Sequence, residues 1–250
     1  MSVVTKTPAV GFRANAFEGR NLVVFLLIAF GWSWSWWALF VFDVLSWPAG
    51  AGTDEVELSP MLLLLAITPF GPTIAGFVAT AISEGRAGVR SLWGRFWNRD
   101  QSIKWLLVAL LFFPALKLVS NLVTRTLDGE PYPFFEDAWL TGFVGVLMTN
   151  TFINGGMSEE FGWRGYVLPR FQAKWNALVS SVVLGAIWAS WHIPLWFIPE
   201  DEHSGTFFGT RLMAWIAISI MMTWIFNNTN GSILAAAADR RWAASWNTGR

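Results

Sequence analysis

The sequence contains no cysteine, and this excludes several classes of protein at once. A disulfide framework, a zinc finger, an iron–sulfur centre and a cysteine nucleophile all need thiols. Charge is also scarce: charged residues make up 14% of the chain, against about 25% in an ordinary soluble domain. The 17 lysines and arginines balance 17 acidic residues, so no net positive charge points to nucleic acid. With only two histidines, His192 and His203, a metal site would depend mostly on carboxylates or amides.

Long apolar runs are what the sequence has instead. Hydrophobic residues make up 54% of the 250, with 18 tryptophans and 21 phenylalanines. A helix needs about 20 mostly apolar residues to cross a bilayer. Six such runs occur. Five cover residues 22–42, 60–83, 105–123, 177–198 and 212–226, and the remaining one, the fourth in chain order, begins at about residue 139 and continues past residue 154. A weaker seventh run begins at residue 232. The sequence therefore predicts an all-α polytopic membrane bundle of six to eight transmembrane helices over residues 22–250, after a polar N-terminal tail of residues 1–21.

Basic and acidic residues alternate between the predicted loops. The N-terminal tail and the second and fourth loops are basic, whereas the first, third and fifth loops are acidic. Lysine and arginine favour cytoplasmic loops. The pattern therefore predicts a multi-pass protein of the plasma (inner) membrane with a cytoplasmic N-terminus.

Ionisable side chains inside the apolar region are the first candidates for function, because inserting each into lipid costs about 2.5–3.5 kcal/mol. Glu159, Glu160 and Arg164 follow the fourth run. Glu160 and Arg164 are four residues apart on a helix and are expected to form an ion pair, which leaves Glu159 without that partner. A carboxylate shielded from water suits a general base. The alternative is a structural salt bridge at a membrane border, with Glu159 facing water.

His192 lies near the end of the fifth run and is expected at a depth similar to that of Glu159. Each is separated by roughly 20–25 Å of helix from the turn at residues 172–176, and antiparallel helices joined by a short turn pack side by side. The simpler interpretation of His192 is a packing histidine whose ring nitrogen bonds a nearby carbonyl. Lys117, in the third run, is interpreted as a snorkelling or paired side chain. His203 is interpreted as a solvated loop histidine or, less strongly, a metal ligand.

The two clusters resemble motifs of a known family. The segment from Glu159 to Arg164, followed by GYVLP, resembles the EExxxR motif of the CAAX protease and bacteriocin-processing (CPBP, or Abi) intramembrane proteases. Trp188 and His192 resemble the second motif, an aromatic residue four positions before a histidine. The resemblance covers about residues 60–247 and implies a helical intramembrane endopeptidase. Glu159 would be its base, with Glu160 and Arg164 as a supporting pair, and His192 would help to activate the attacking water.

The third family motif is incomplete. It normally has a histidine followed four residues later by asparagine or aspartate. Here Asn247 matches the second position as a site residue, and Ala243 stands where the histidine is expected. The resemblance implies either a divalent metal such as zinc, with Glu159 and His192 as candidate ligands, or no metal, because zinc normally has at least three protein ligands.

The implied partners are the lipid bilayer and a membrane-bound peptide or lipidated protein as substrate. The alternative is a catalytically silent membrane protein of the same fold that acts in binding, immunity or as a scaffold. A transporter is a third interpretation, and it is disfavoured because the chain has no paired halves.

Overall fold

The computed structural model describes residues 19–48, 60–96 and 156–235, together with residues 104, 105, 107, 108 and 126. Within these ranges every regular element is helical, which confirms the predicted all-α class. The elements are α1 (Gly19–Val41), α2 (Pro60–Ile67), a 3-10 turn (Thr68–Phe70), α3 (Gly71–Gly94), α4 (Gly156–Glu160), a π-helix (Phe161–Val167), α5 (Leu168–Gln172), α6 (Ala177–Trp191), a second 3-10 turn (Ile193–Phe197) and α7 (Phe208–Asn228).

Four helical stretches are long and apolar enough to cross a bilayer. They are Gly19–Val41, Pro60–Gly94, Ala177–Phe197 and Phe208–Asn228. These coincide with the first, second, fifth and sixth apolar runs of the sequence, so those four predictions are confirmed. Nearly all of the third run, the fourth run and most of the seventh lie outside the described residues.

α1 packs against the rest of the bundle through a narrow face. Five of its six buried residues recur every four positions, at Asn21, Phe25, Ala29, Ser33 and Trp37, and the sixth is Phe40. Residues four apart lie on the same side of a helix. Several apolar residues on its other sides are exposed, as expected where a helix faces lipid.

Two prolines interrupt the second apolar run between α2 and α3. A proline cannot donate to the carbonyl four residues earlier, so Pro69 and Pro72 release the carbonyls of Leu65 and Thr68. The Thr68 hydroxyl donates to the Leu65 carbonyl at 2.9 Å, and the Ser33 hydroxyl of α1 donates to the Thr68 carbonyl at 2.7 Å. An unpaired carbonyl is costly in lipid, so both bonds stabilise the break, and the bond from Ser33 also holds α1 against it.

Glycines allow the helices around the polar interior to pack backbone to backbone. A β-carbon on Gly162 of the π-helix would lie 2.2 Å from the Pro72 carbonyl oxygen of α3. One on Gly185 of α6 would lie 2.7 Å from the Ile216 Cα of α7. Small residues at helix contacts permit such close approach in membrane proteins. α3 therefore packs directly on the π-helix, and α7 packs directly on α6.

Candidate active site

The first motif lies in a helical segment that changes its pitch within the motif. α4 ends at Glu160, and the next 7 residues form the π-helix Phe161–Val167. π-helical turns are rare and frequently lie at functional sites. Gly162 lies too close to α3 to carry a β-carbon, and the Thr73 hydroxyl of α3 donates to the Met157 carbonyl at 2.7 Å. α3 thereby fixes the segment that carries the two glutamates.

The Glu159 carboxylate is buried and hydrogen-bonded. The residue is 2% exposed, and its Oε2 accepts a 2.7 Å hydrogen bond from Nε1 of Trp188 on α6. A hydrogen bond to an ionised carboxylate is about twice as strong as one between neutral groups. The alternative in which Glu159 faces water is therefore wrong.

Glu160 and Arg164 form the ion pair that their spacing predicts. Arg164 Nη1 lies 3.1 Å from Glu160 Oε1, and both side chains are fully buried. The Arg164 guanidinium also lies 4.5 Å from the centre of the Trp188 ring, close enough for a cation–π interaction. The pair thus neutralises one of the two adjacent carboxylates and packs it against the residue that binds the other.

His192 lies at the C-terminal end of α6 with its ring held from several sides. Nδ1 is 2.8 Å from the carbonyl oxygen of Trp188, which confirms the expected bond to a neighbouring carbonyl. Because a carbonyl only accepts, Nδ1 carries the hydrogen, and Nε2 of the neutral ring is an acceptor. The Trp215 ring of α7 stacks on His192 at 4.3 Å between centroids and 18° between planes. Trp191 contacts the same ring edge-on at 4.7 Å.

Trp188 brings the two predicted groups together. Its indole N–H bonds the Glu159 carboxylate, and its backbone carbonyl bonds the His192 ring. A carboxylate from the α4 segment and an imidazole from the end of α6 therefore meet at one residue, as the comparison of their depths predicts. The motif comparison assigns Trp188 only as the aromatic residue four positions before His192. Tryptophan has an indole N–H donor that phenylalanine lacks, and this donor is the sequence signal that could have predicted a polar partner for Trp188.

The interpretation of His203 as a solvated loop residue is wrong. His203 is 4% exposed, and its ring centroid lies 5.7 Å from that of His192. The chain folds back after the second 3-10 turn, where Trp196 Nε1 donates to the Thr206 carbonyl at 3.0 Å. The fold-back buries the His203 side chain, whereas the neighbouring Glu200 and Glu202 are exposed. The pairing of His203 with Asp201, two residues earlier, is a local signal that sequence reasoning could have used.

The remaining candidates lie outside the described residues. Asn247, Ala243 and Lys117 all belong to these parts of the chain. Within the described part, no three His, Asp or Glu side chains come together as metal ligands would. Glu159 and His192 alone fall short of the three protein ligands that zinc usually has. The described residues therefore do not fit a zinc centre.

Comparison with known proteins identifies relatives of this chain. Residues 141–238, which include both clusters, match the family model described as Type II CAAX prenyl endopeptidase Rce1-like. The chain is also 25% identical over 209 residues to the protein named CAAX prenyl protease 2 of Methanococcus maripaludis, covering 79% of this chain and 76% of that protein. Together with the four apolar helices, these matches establish an integral membrane protein.

Proposed function

We propose that this chain belongs to the CAAX protease and bacteriocin-processing family that its motifs resemble. We further propose that it is a membrane endopeptidase that hydrolyses a peptide bond in a prenylated or otherwise lipidated substrate. The family match and the relative support the reaction class. The single observation that carries the proposal is the buried meeting of Glu159 and His192 at Trp188.

Glu159 acts as the general base in this proposal. An ionised carboxylate has about four acceptor positions, so the bond from Trp188 does not exhaust its capacity. Glu159 takes one proton from a water molecule, and the water oxygen bonds to the scissile carbonyl carbon. When the carbon–nitrogen bond breaks, that proton passes to the leaving amine, and the products are a carboxylic acid and an amine.

His192 and the Glu160–Arg164 pair support this step. Nδ1 of His192 is held by a carbonyl, so Nε2 of the neutral ring accepts a hydrogen bond from the water and orients it. In the Glu160–Arg164 ion pair, the guanidinium compensates the negative charge of Glu160, so that this carboxylate adds no unbalanced charge beside Glu159. Both effects depend on burial, since a site that excludes water strengthens each electrostatic interaction.

A cleavage assay tests the proposal. The purified chain is placed in liposomes with a peptide that ends in a prenylated CAAX sequence, and product is measured by mass spectrometry. Glu159→Gln and His192→Ala are each expected to lower kcat by about 10²–10⁴-fold. The matched control is Glu200→Gln, which changes an exposed glutamate and is expected to cleave like the wild type. The proposal fails if the wild type cleaves nothing, or if Glu159→Gln cleaves as fast as the control.

The incomplete third motif supports a second candidate function. Ala243 stands where the family has a histidine, and loss of a polar group at a reacting centre can cost orders of magnitude in rate. The second candidate is a catalytically silent protein that binds membrane peptides. If the third motif is merely damaged, Ala243→His raises the cleavage rate; if the chain only binds, wild type and Ala243→His both bind the peptide without cleaving it.

The proposed location is the plasma (inner) membrane with a cytoplasmic N-terminus. The alternation of basic and acidic loops supports this orientation, since lysine and arginine concentrate on the cytoplasmic side.

A further inference from the structure

His203 places a second imidazole beside His192, and one of its nitrogens has no hydrogen-bond partner among the residues that the structure describes. The two ring centroids are 5.7 Å apart and the planes are inclined by 22°. His203 Nδ1 bonds the Asp201 carboxylate. His203 Nε2 is buried and forms no hydrogen bond to the described part of the chain.

The surrounding loop holds the His203 ring in one orientation. Asp201 Oδ1 accepts hydrogen bonds from the ring Nδ1 and, at 2.9 Å, from the His203 backbone N–H. The His203 carbonyl accepts a 2.7 Å bond from the Thr206 hydroxyl. The Trp196 ring packs against the imidazole at 4.8 Å between centroids. The position of Nε2 is therefore set by the loop and not by free rotation of the side chain.

The bond to Asp201 also determines what Nε2 can bind. A carboxylate only accepts, so Nδ1 of His203 is the donor, and Nε2 of the neutral ring is an acceptor. A buried acceptor without a partner lowers stability, and such groups are uncommon in folded proteins. Since the ring is fixed and adjacent to His192, the simplest role for this acceptor is to bind a donor that enters the candidate site.

We infer that Nε2 of His203 is a binding group of the candidate site and accepts a hydrogen bond from an N–H or O–H donor there. This inference rests on the proposed endopeptidase function. The donor is either a backbone amide of the bound peptide or the reacting water. A peptide inside the bilayer needs protein acceptors for its amides, because lipid offers none.

Two matched variants of the full chain in liposomes test this inference. His203→Gln keeps an acceptor oxygen near the position of Nε2, whereas His203→Phe keeps a stacking ring without an acceptor. His203→Phe is expected to change KM or kcat about tenfold, the effect of one lost hydrogen bond, and His203→Gln less than about threefold. A raised KM identifies the peptide amide as the donor, and a lowered kcat identifies the water. The inference is overturned if His203→Phe behaves like the wild type, or if His203→Gln is impaired as much as His203→Phe.

The assay separates failure of the inference from failure of the proposed function. If the wild type cleaves nothing, the proposed function has failed. The inference is then judged by a binding assay with the same prenylated peptide, in which tryptophan fluorescence measures the affinity. The two proteins compared are the Glu159→Gln variant and the double variant Glu159→Gln with His203→Phe. Binding weakened about tenfold supports the role of His203, and unchanged binding overturns it. If His203→Phe fails to fold because the Asp201 carboxylate loses its imidazole partner, the double variant with Asp201→Asn replaces it.

Discussion

Trp188 contacts Glu159 through its side chain and His192 through its backbone. The two contacts respond differently to mutation, because only the indole N–H can be removed by substitution. Trp188→Phe would delete the bond to Glu159 and leave the carbonyl that holds His192. The residue therefore allows the contribution of one charge-assisted bond to be measured separately.

Trp188→Phe is expected to lower the free energy of unfolding by about 1.5–3 kcal/mol, since a bond to a charged group is lost. Trp34→Phe is the matched control, because Trp34 Nε1 donates at 2.9 Å to the neutral carbonyl of Trp191, and its loss should cost about 0.5–1.5 kcal/mol. Denaturant unfolding in detergent micelles measures both. A double-mutant cycle with Glu159→Gln should give a coupling energy of about 0.5–3 kcal/mol. A coupling near zero would show that this hydrogen bond does not form in solution.

The Glu160–Arg164 pair supports a second stability prediction. Arg164→Met removes the cation from a fully buried pair and leaves Glu160 without that counterion, at an expected cost of about 3–5 kcal/mol in the free energy of unfolding. Arg90→Met, at an exposed position, should change it by less than about 0.5 kcal/mol. The double variant Glu160→Gln with Arg164→Met should recover part of the loss. A loss for Arg164→Met no larger than for Arg90→Met contradicts a buried pair.

Local contacts of the candidate site could be predicted from the sequence, and distant ones could not. Glu160 and Arg164 meet because they are four residues apart on one helical segment, which spacing alone reveals. The bond between Glu159 and Trp188 joins residues 29 apart, so spacing suggested similar depth but no partner. His203 was misinterpreted because a run of acidic neighbours normally indicates exposure, whereas here the chain folds back and buries its ring.

At the scale of the helices, the prolines of the second run indicate where it breaks but not what stabilises the break. Pro69 and Pro72 mark the position, because each removes a backbone donor. The compensating donors come from Thr68 and from Ser33 of α1. Ser33 lies on the same α1 face as Trp37, whose Nε1 donates to the Thr68 hydroxyl at 2.9 Å. Only a folded bundle reveals which neighbouring helix supplies these donors.

The π-helix should be sensitive to any added side chain at Gly162. Gly162→Ala would place a β-carbon 2.2 Å from a backbone carbonyl oxygen, so α3 and the π-helix must separate, at an expected cost of about 1–3 kcal/mol in the free energy of unfolding. Gly31→Ala is the matched control, since no heavy atom lies within 4 Å of its β-carbon. This helical substitution should be neutral or stabilise by up to about 1 kcal/mol. Thermal unfolding of both variants in the same micelles measures this difference. Equal melting temperatures would rule out the close packing of Gly162 against α3.

At the scale of the whole molecule, α6 sets the depth of the candidate site. It has 15 residues, so its helical length is about 22 Å, and the 3-10 turn that follows adds roughly 10 Å. Together they match the hydrocarbon thickness of about 30 Å. Trp188 is the twelfth residue of α6, which places it about 17 Å from the start, near the middle of the bilayer. The basic turn around Lys174 and the acidic loop around Glu202 lie at opposite ends of this span.

The natural absence of cysteine makes the orientation directly measurable. Lys174→Cys and Glu202→Cys introduce one exposed thiol each, and a membrane-impermeant maleimide labels only thiols on the accessible side of intact cells. Because basic residues favour the cytoplasm, Cys at 202 should be labelled in intact cells and Cys at 174 only after permeabilisation. The unmodified chain, which has no thiol, gives the background. The reverse labelling would contradict a cytoplasmic N-terminus, and labelling of both thiols in intact cells would contradict a bilayer crossing by α6, which alone separates the two positions.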